Sequence, residues 1–181
     1  MKNQQYRFLL APGVLFCAWA QATCHVQLSA PNIIYPPATR GTLLSSQGNS
    51  LISEEMRIGN ERSLDILVSC ESPASLTLAY AADPRDAVNY RFGDNGRASF
   101  TLRDVYVDSR PVMIESQGMR ATSMPFTPGN SLRFWNSSGL ASGSTLRGKI
   151  VIDAWIATDA TRVQERKTWQ ISGSLVVRHD N

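Results

Sequence analysis

Residues 64–70 read Leu-Asp-Ile-Leu-Val-Ser-Cys, and this stretch decides the fold. Its apolar side chains recur at every second position from Leu64, which is the period of a β-strand with one face in a core. Cys70 falls on that face. The same alternation in Cys24-His25-Val26-Gln27-Leu28 places Cys24 on the core face of a first strand. Helical periodicity of any length is hard to find, so the sequence predicts an all-β protein.

Further alternating segments divide the rest of the chain into short strands separated by turn signals. The turn Gly93-Asp94-Asn95-Gly96 predicts a hairpin, and Asp108-Ser109-Arg110-Pro111 predicts a second one. The other predicted strands cover residues 76–80, 132–134, 146–156 and 169–177. Many short strands with regular turns favour an immunoglobulin-like β-sandwich.

The first residues of the chain have the layout of a secretory signal peptide. Lys2 and Arg7 precede the apolar run 8–16, and Ala20-Gln21-Ala22 is a small-residue cleavage site. The apolar run is shorter than the roughly 20 residues that cross a bilayer. The sequence therefore predicts a signal peptide over residues 1–22, and an exported mature protein over 23–181 that is long enough for one domain.

The cysteine count points to a single disulfide. Cys17 leaves with the predicted signal peptide, and Cys24 and Cys70 remain in an oxidising compartment, where only one intramolecular pairing is possible. The mature chain is nearly neutral, because the signal peptide takes two of the basic residues and none of the acidic ones. This balance gives no reason to expect nucleic-acid binding.

The mature chain offers little for catalysis or metal binding. Its histidines are His25 and His179, its cysteines are expected to pair, and no nucleophile stands in a recognisable activating motif. Gly93-Asp94-Asn95-Gly96 has fewer oxygen ligands than a calcium loop requires and is interpreted as a turn. We therefore expect no enzymatic activity, no cofactor and no metal site.

Three tryptophans are candidates for stacking against sugar rings. Trp169 falls on the apolar face of its predicted strand, which favours a place in the core. Trp155 lies on the more polar face of its strand, and Trp135 stands beside the turn segment Asn136-Ser137-Ser138. Trp135 is the better ligand candidate of the three, although packing explains each of them, and none is predicted as a site.

Taken in order along the chain, several segments resemble the pilin subunits of chaperone-usher fimbriae. They are the two cysteine strands, the segment Tyr35-Pro36-Pro37-Ala38-Thr39-Arg40-Gly41, residues 105–112 and the terminal Gly173-Ser174-Leu175-Val176-Val177. In this family the cysteine near the mature start pairs with the one that ends the alternating strand. The resemblance thus agrees with a Cys24–Cys70 bridge.

The resemblance implies a sandwich that lacks its last strand and has a hydrophobic groove in its place. A periplasmic chaperone fills the groove first, and a strand from the neighbouring subunit replaces it at the outer-membrane usher, a form of β-strand addition. The product is a fimbria on the cell surface that serves adhesion. In this chain the acceptor groove would be lined by Val26, Leu28, Ile171, Leu175 and Val177.

Two departures from the family pattern affect the expected role. Only Thr23 lies between the predicted cleavage site and Cys24, so the subunit has almost no N-terminal strand to donate, which suggests a tip or minor subunit. The chain also has Asp180 where many pilins have an aromatic residue next to last, a feature that the chaperone reads. The alternative is a free-standing, exported, carbohydrate-binding β-sandwich that supplies all its strands itself and whose partner is a glycan.

Overall fold

The structure is a computed structural model that describes residues 23–30, 33, 35, 39–162 and 171–180. The predicted signal peptide and Trp169 lie outside the described residues. The all-β prediction is confirmed, because the described residues contain only one short α-helix. The strands are β1 Cys24–Leu28, β2 Glu55–Arg57, β3 Arg62–Ala82, β4 Tyr90–Phe92, β5 Gly96–Val107, β6 Arg110–Pro111, β7 Met113–Ser116, β8 Met119–Ala121, β9 Ser123–Phe126, β10 Leu132–Asn136, β11 Gly139–Leu140, β12 Ser142–Ala157 and β13 Gly173–Asp180. The helix is α1 Arg40–Leu44, and a 3-10 helix covers Thr158–Arg162.

The long strand β3 organises the sheet. Its N-terminal half lies between β1 and β12, and β5 pairs with the other side of β12. β4 and β9 each pair with the outer side of β5. Its C-terminal half lies between β13 and β10, and β10 continues to β7 and β8. All of these pairings are antiparallel. The sheet therefore has two halves that share β3.

The two halves face each other. Phe100 on β5 is level with Ile152 on β12, which in turn is level with Arg62 at the start of β3. Tyr80 lies eighteen positions further along β3, which would be roughly 60 Å away in a straight strand. However, the ring centroids of Tyr80 and Phe100 are 4.5 Å apart. The sheet is therefore folded into a two-layer β-sandwich with the apolar core between the layers.

The fold-over coincides with an irregularity in β3. Thr145 on β12 pairs with Ser69 on β3, and Gly143, two residues earlier on β12, pairs with Ala74, five residues later on β3. Pro73, which has no N–H to give to a ladder, stands in the extra segment. The sequence predicts separate strands at residues 64–70 and 76–80, whereas the structure joins them into one strand that bends here.

Both predicted hairpins are present. β4 and β5 pair across Gly93–Asn95, although Val88, expected in the first strand, is 56% exposed and lies outside β4. β5 and β6 pair across Asp108 and Ser109, whose φ angles of 45° and 66° suit a two-residue turn. Val112 N–H still donates to Val105 O of β5 at 3.1 Å, and the chain then leaves β5 at Met113, because β7 pairs with β10 in the other layer.

The core is one cluster of buried side chains drawn from both layers. The residues with no measurable exposure include Met56, Val68, Leu78, Leu102 and Leu146. β2 and α1 were not predicted from the sequence, yet Met56 and Leu43 bring both into this cluster. None of the described helices is long and apolar enough to cross a membrane.

Candidate functional site

β1 and β13 lie end to end along one edge of β3. Ser69 pairs with His25 on one side and with β12 on the other, and Ser75 pairs with Asp180 on one side and with β12 on the other. Because β12 occupies the same side of β3 at both points, β1 and β13 share the opposite side. We call these two strands the β13–β1 edge. They run in the same direction, with the end of β13 pointing at the start of β1.

The backbone of β1 leaves polar groups facing outward. Glu71 N–H donates to Thr23 O at 3.1 Å, and Ser29 N–H donates to Asp65 O at 2.9 Å, so the odd-numbered residues of this segment exchange hydrogen bonds with β3. The N–H and C=O groups of Val26 and Leu28 therefore point away from β3. No described strand pairs with that outer side of β1, or with the outer side of β13.

The apolar side chains of the β13–β1 edge point to the core side of the sheet, but they remain partly exposed to solvent. Val26 is opposite Val68, which has no exposed surface, whereas Val26 itself is 36% exposed. Leu28 is half-buried at the other end of β1. Residues directly opposite in an antiparallel pair share a face. The apolar row on β1 is thus on the core side of the sheet and still open to solvent.

β13 repeats this arrangement. Val177 is opposite the fully buried Leu78, and Leu175 is opposite Tyr80, yet both are only half-buried. Ile171, just before β13, is also half-buried against the core cluster. The structure therefore places the predicted groove residues along one edge, in the order Ile171, Leu175 and Val177, followed by Val26 and Leu28.

The layer that contains β1, β12 and β5 has the same architecture at its opposite edge, but the side chains there are more deeply buried. β4 and β9 lie end to end along the outer side of β5, as β13 and β1 do along β3. Their core-facing residues are closed off, with exposures of 0% for Tyr90, 2% for Phe92, 7% for Met124 and 1% for Phe126. Position at an edge does not by itself explain the open row on β13 and β1.

Tyr80 is a residue of this region that the sequence analysis treated only as part of an alternating strand. It is the cross-strand neighbour of Leu175, and its ring packs edge-on against Tyr90 with the centroids 4.9 Å apart. Burial raises the pKa of Tyr80 to about 12, so its phenol stays neutral at physiological pH. Its place beside the open row depends on the folding of β3, which alternation cannot reveal.

The predicted disulfide is confirmed. Cys24 and Cys70 are directly opposite in the register of β1 and β3, with their Cα atoms 4.1 Å apart. This is the close spacing of a pair that does not exchange backbone hydrogen bonds. The bridge thus joins neighbouring strands of one layer and does not link the two layers. It fixes the start of β1, where the outward residue His25 is exposed.

No protein-family model and no curated protein matches this chain. The edge and its chemistry therefore carry the functional argument. Among the described residues, no group of three His, Cys, Asp or Glu side chains is close enough to hold a metal ion.

Two of the three tryptophans considered as sugar-stacking candidates, Trp135 and Trp155, are partly covered. The guanidinium of Arg120 lies over the ring of Trp135 at 3.6 Å from its centroid, and Arg97 lies over Trp155 at 4.0 Å. Arg97 is held there by Glu55, with Nε and Oε2 2.6 Å apart. One face of each ring is therefore already occupied by a cation–π contact.

Proposed function

We propose that this protein is a strand-accepting structural subunit of a chaperone-usher fimbria, with a role in cell adhesion. The observation that carries the proposal is the open apolar row of the β13–β1 edge. Val26 faces the core and keeps 36% of its surface exposed, and the backbone groups beside it point outward. One added strand would pair with those groups and cover the row.

The physical case for a missing strand rests on the cost of leaving this edge open. An exposed strand edge beside apolar side chains is a template for pairing with other chains and promotes aggregation. On the other long edge, by contrast, the core-facing side chains of β4 and β9 are buried. In the proposed pathway the periplasmic chaperone supplies the strand first, and a neighbouring subunit supplies it at the outer-membrane usher.

The position in the fibre follows from the predicted cleavage site. Processing after Ala22 leaves Thr23 alone in front of Cys24, and Cys24 is tied to Cys70. Such a subunit can accept a strand and has almost nothing to donate from its N-terminus. We therefore propose a minor or tip subunit, which mass spectrometry of the mature N-terminus tests, since cleavage well upstream of Ala22 would restore a donor.

Production of the domain with and without a strand in cis tests the proposal. The mature chain is produced in the periplasm alone, and also with a flexible C-terminal linker followed by a segment of alternating valine and threonine. We expect the first form to aggregate or be degraded and the second to be a soluble monomer. A soluble, monomeric and stable first form would contradict strand acceptance and favour a complete, free-standing β-sandwich.

Matched variants locate the effect. Val177→Asp puts a charge into the open row and should abolish rescue by the added segment, because the charge would be buried under the new strand. Val88→Asp makes the same change at a residue that is 56% exposed and outside the strands, and rescue should persist. Equal behaviour of the two variants would place the accepted strand elsewhere.

A further inference from the structure

A groove of about 480 Å³ crosses the outer face of the layer that contains β1, β12 and β5, and it reaches Leu28 at the β1 end of the edge row. It runs across β1, β3, β12 and β5, between two rows of side chains that point out of the sandwich. One row contains Gln27, Arg147 and Tyr106, and the other contains Asp65 and Lys149. The groove is therefore built on four paired strands, which hold its walls at fixed spacing.

A β-bulge turns an acidic side chain toward this groove. Arg147 is level with Tyr106 and Lys149 is level with Arg103, so the residues between them on β5 outnumber those on β12 by one. At the bulge Asp104 has a φ of 54°, Val105 is buried in the core, and the Asp104 side chain is 64% exposed. Without the extra residue, alternation would direct Asp104 into the core.

Four polar side chains of the groove are not used by the fold, whereas Asp104 lies 3.8 Å from Arg103 Nε and Ser29 Oγ accepts from the Asp65 N–H. Asp65 and Lys149 are directly opposite each other, yet the side chains of Asp65, Lys149, Arg147 and Gln27 make no hydrogen bond or ion pair with any described residue. Elsewhere on the same face charged residues do pair, as Arg57 does with Asp153. The groove thus presents both donors and acceptors to a ligand.

We infer that this groove binds a neutral saccharide. Asp65 and Asp104 balance Arg147 and Lys149 in charge, and the neighbouring Arg103 is balanced by Glu61, 3.5 Å away, which disfavours an anion or a cation as ligand. Hydroxyl groups both donate and accept hydrogen bonds and so suit a mixed lining, and the 43% exposed ring of Tyr106 offers a surface for the apolar face of a pyranose. The covered rings of Trp135 and Trp155 are less suited to this role.

The proposal does not depend on strand acceptance, because the polar side chains of the groove point out of the face of the sheet opposite the core, although the groove borders β1. Its test uses the mature chain with its disulfide intact, in the self-complemented form if the chain alone aggregates. Saturation-transfer NMR is run with methyl glycosides of the common neutral hexoses, and with inorganic phosphate and N-acetylneuraminic acid as charged probes. We expect binding of at least one neutral glycoside and of neither charged probe.

Variants assign the binding to this groove. Tyr106→Ala and the isosteric Asp65→Asn should each weaken the glycoside by about tenfold or more, with an unchanged thermal midpoint as the check of folding. Met119→Ala, at a 65% exposed residue of the other layer, is the matched control and should bind normally. The inference is overturned if no neutral glycoside binds, if only a charged probe binds, or if Tyr106→Ala and Asp65→Asn both bind like the wild type.

Discussion

Removal of the disulfide tests how β1 is held on the sheet. β1 has five residues, of which His25, Val26 and Gln27 are exposed, so packing alone holds it weakly. The bridge from Cys24 to Cys70 fixes its first residue to β3. The double variant Cys24→Ser/Cys70→Ser removes the bridge without leaving a free thiol in the mature chain.

The expected magnitude follows from the loop that the bridge closes. The two cysteines are 46 positions apart. A loop of this length constrains the unfolded chain by about 4 kcal/mol in the chain-entropy model. For a domain of this size such a loss lowers the thermal midpoint by roughly 10 °C. β1 should also open locally, because the remaining contacts of the strand are few.

The assay compares three samples at equal protein concentration: the oxidised protein, the reduced protein and the double variant. Urea unfolding followed by tryptophan fluorescence gives the free energy of unfolding, and hydrogen exchange gives the opening of β1. We expect the reduced protein and the double variant to agree, and both to be less stable than the oxidised protein. Equal urea midpoints for all three samples would refute the role given to the bridge.

Three further substitutions test the core, a close approach of backbones and a turn. Leu78→Ala should lower the free energy of unfolding by about 3 kcal/mol in urea titrations, since Leu78 has no exposed surface, while the matched Leu140→Ala at a 38% exposed residue should change it little. Gly96→Ala should also destabilise the protein in urea, because a Cβ there would lie 2.5 and 2.6 Å from carbonyl oxygens of β4 and β12. A midpoint equal to that of the wild type would show that the strands can move apart. Asp108 accepts a hydrogen bond from the backbone N–H of Thr145, which lowers the pKa of its carboxyl below the usual value. Its contribution to stability is therefore fully present well above the unfolded pKa and is lost as the pH falls through the lowered folded pKa. Asp108→Asn should therefore reduce the loss of stability on acidification from neutral pH, and an unchanged loss would assign the acid sensitivity to other carboxylates.

Much of the fold could be predicted from local patterns. Alternation located β1, the faces of the cysteines and both hairpins, because each of these depends on residues close in sequence. The union of two predicted strands into β3 was missed, since Pro73 interrupts the pattern at the bend. α1 has only five residues and gives too short a periodic signal to be recognised.

The face on which the proposed groove residues lie could be predicted from the sequence, whereas their exposure could not. Alternation indicates that Val26 and Val177 face the core, but solvent access depends on which strands from distant parts of the chain cover them. The bulge at Asp104 was missed for a related reason, because an extra residue is detected only when the partner strand is known. Because the bulge was not predicted, the side chains that line the outer groove could not be predicted from the sequence either.

Hydrogen exchange at β1 tests strand acceptance most directly. The N–H groups of Val26 and Leu28 point away from β3, whereas those of His25 and Gln27 belong to the pairs that bond β3. We therefore measure the four amides with and without a peptide of alternating valine and threonine, with a scrambled peptide of the same composition as the control. Strand acceptance predicts that the alternating peptide slows exchange at Val26 and Leu28 and leaves His25 and Gln27 much less affected. Unchanged exchange at Val26 and Leu28 in the presence of bound peptide would contradict it.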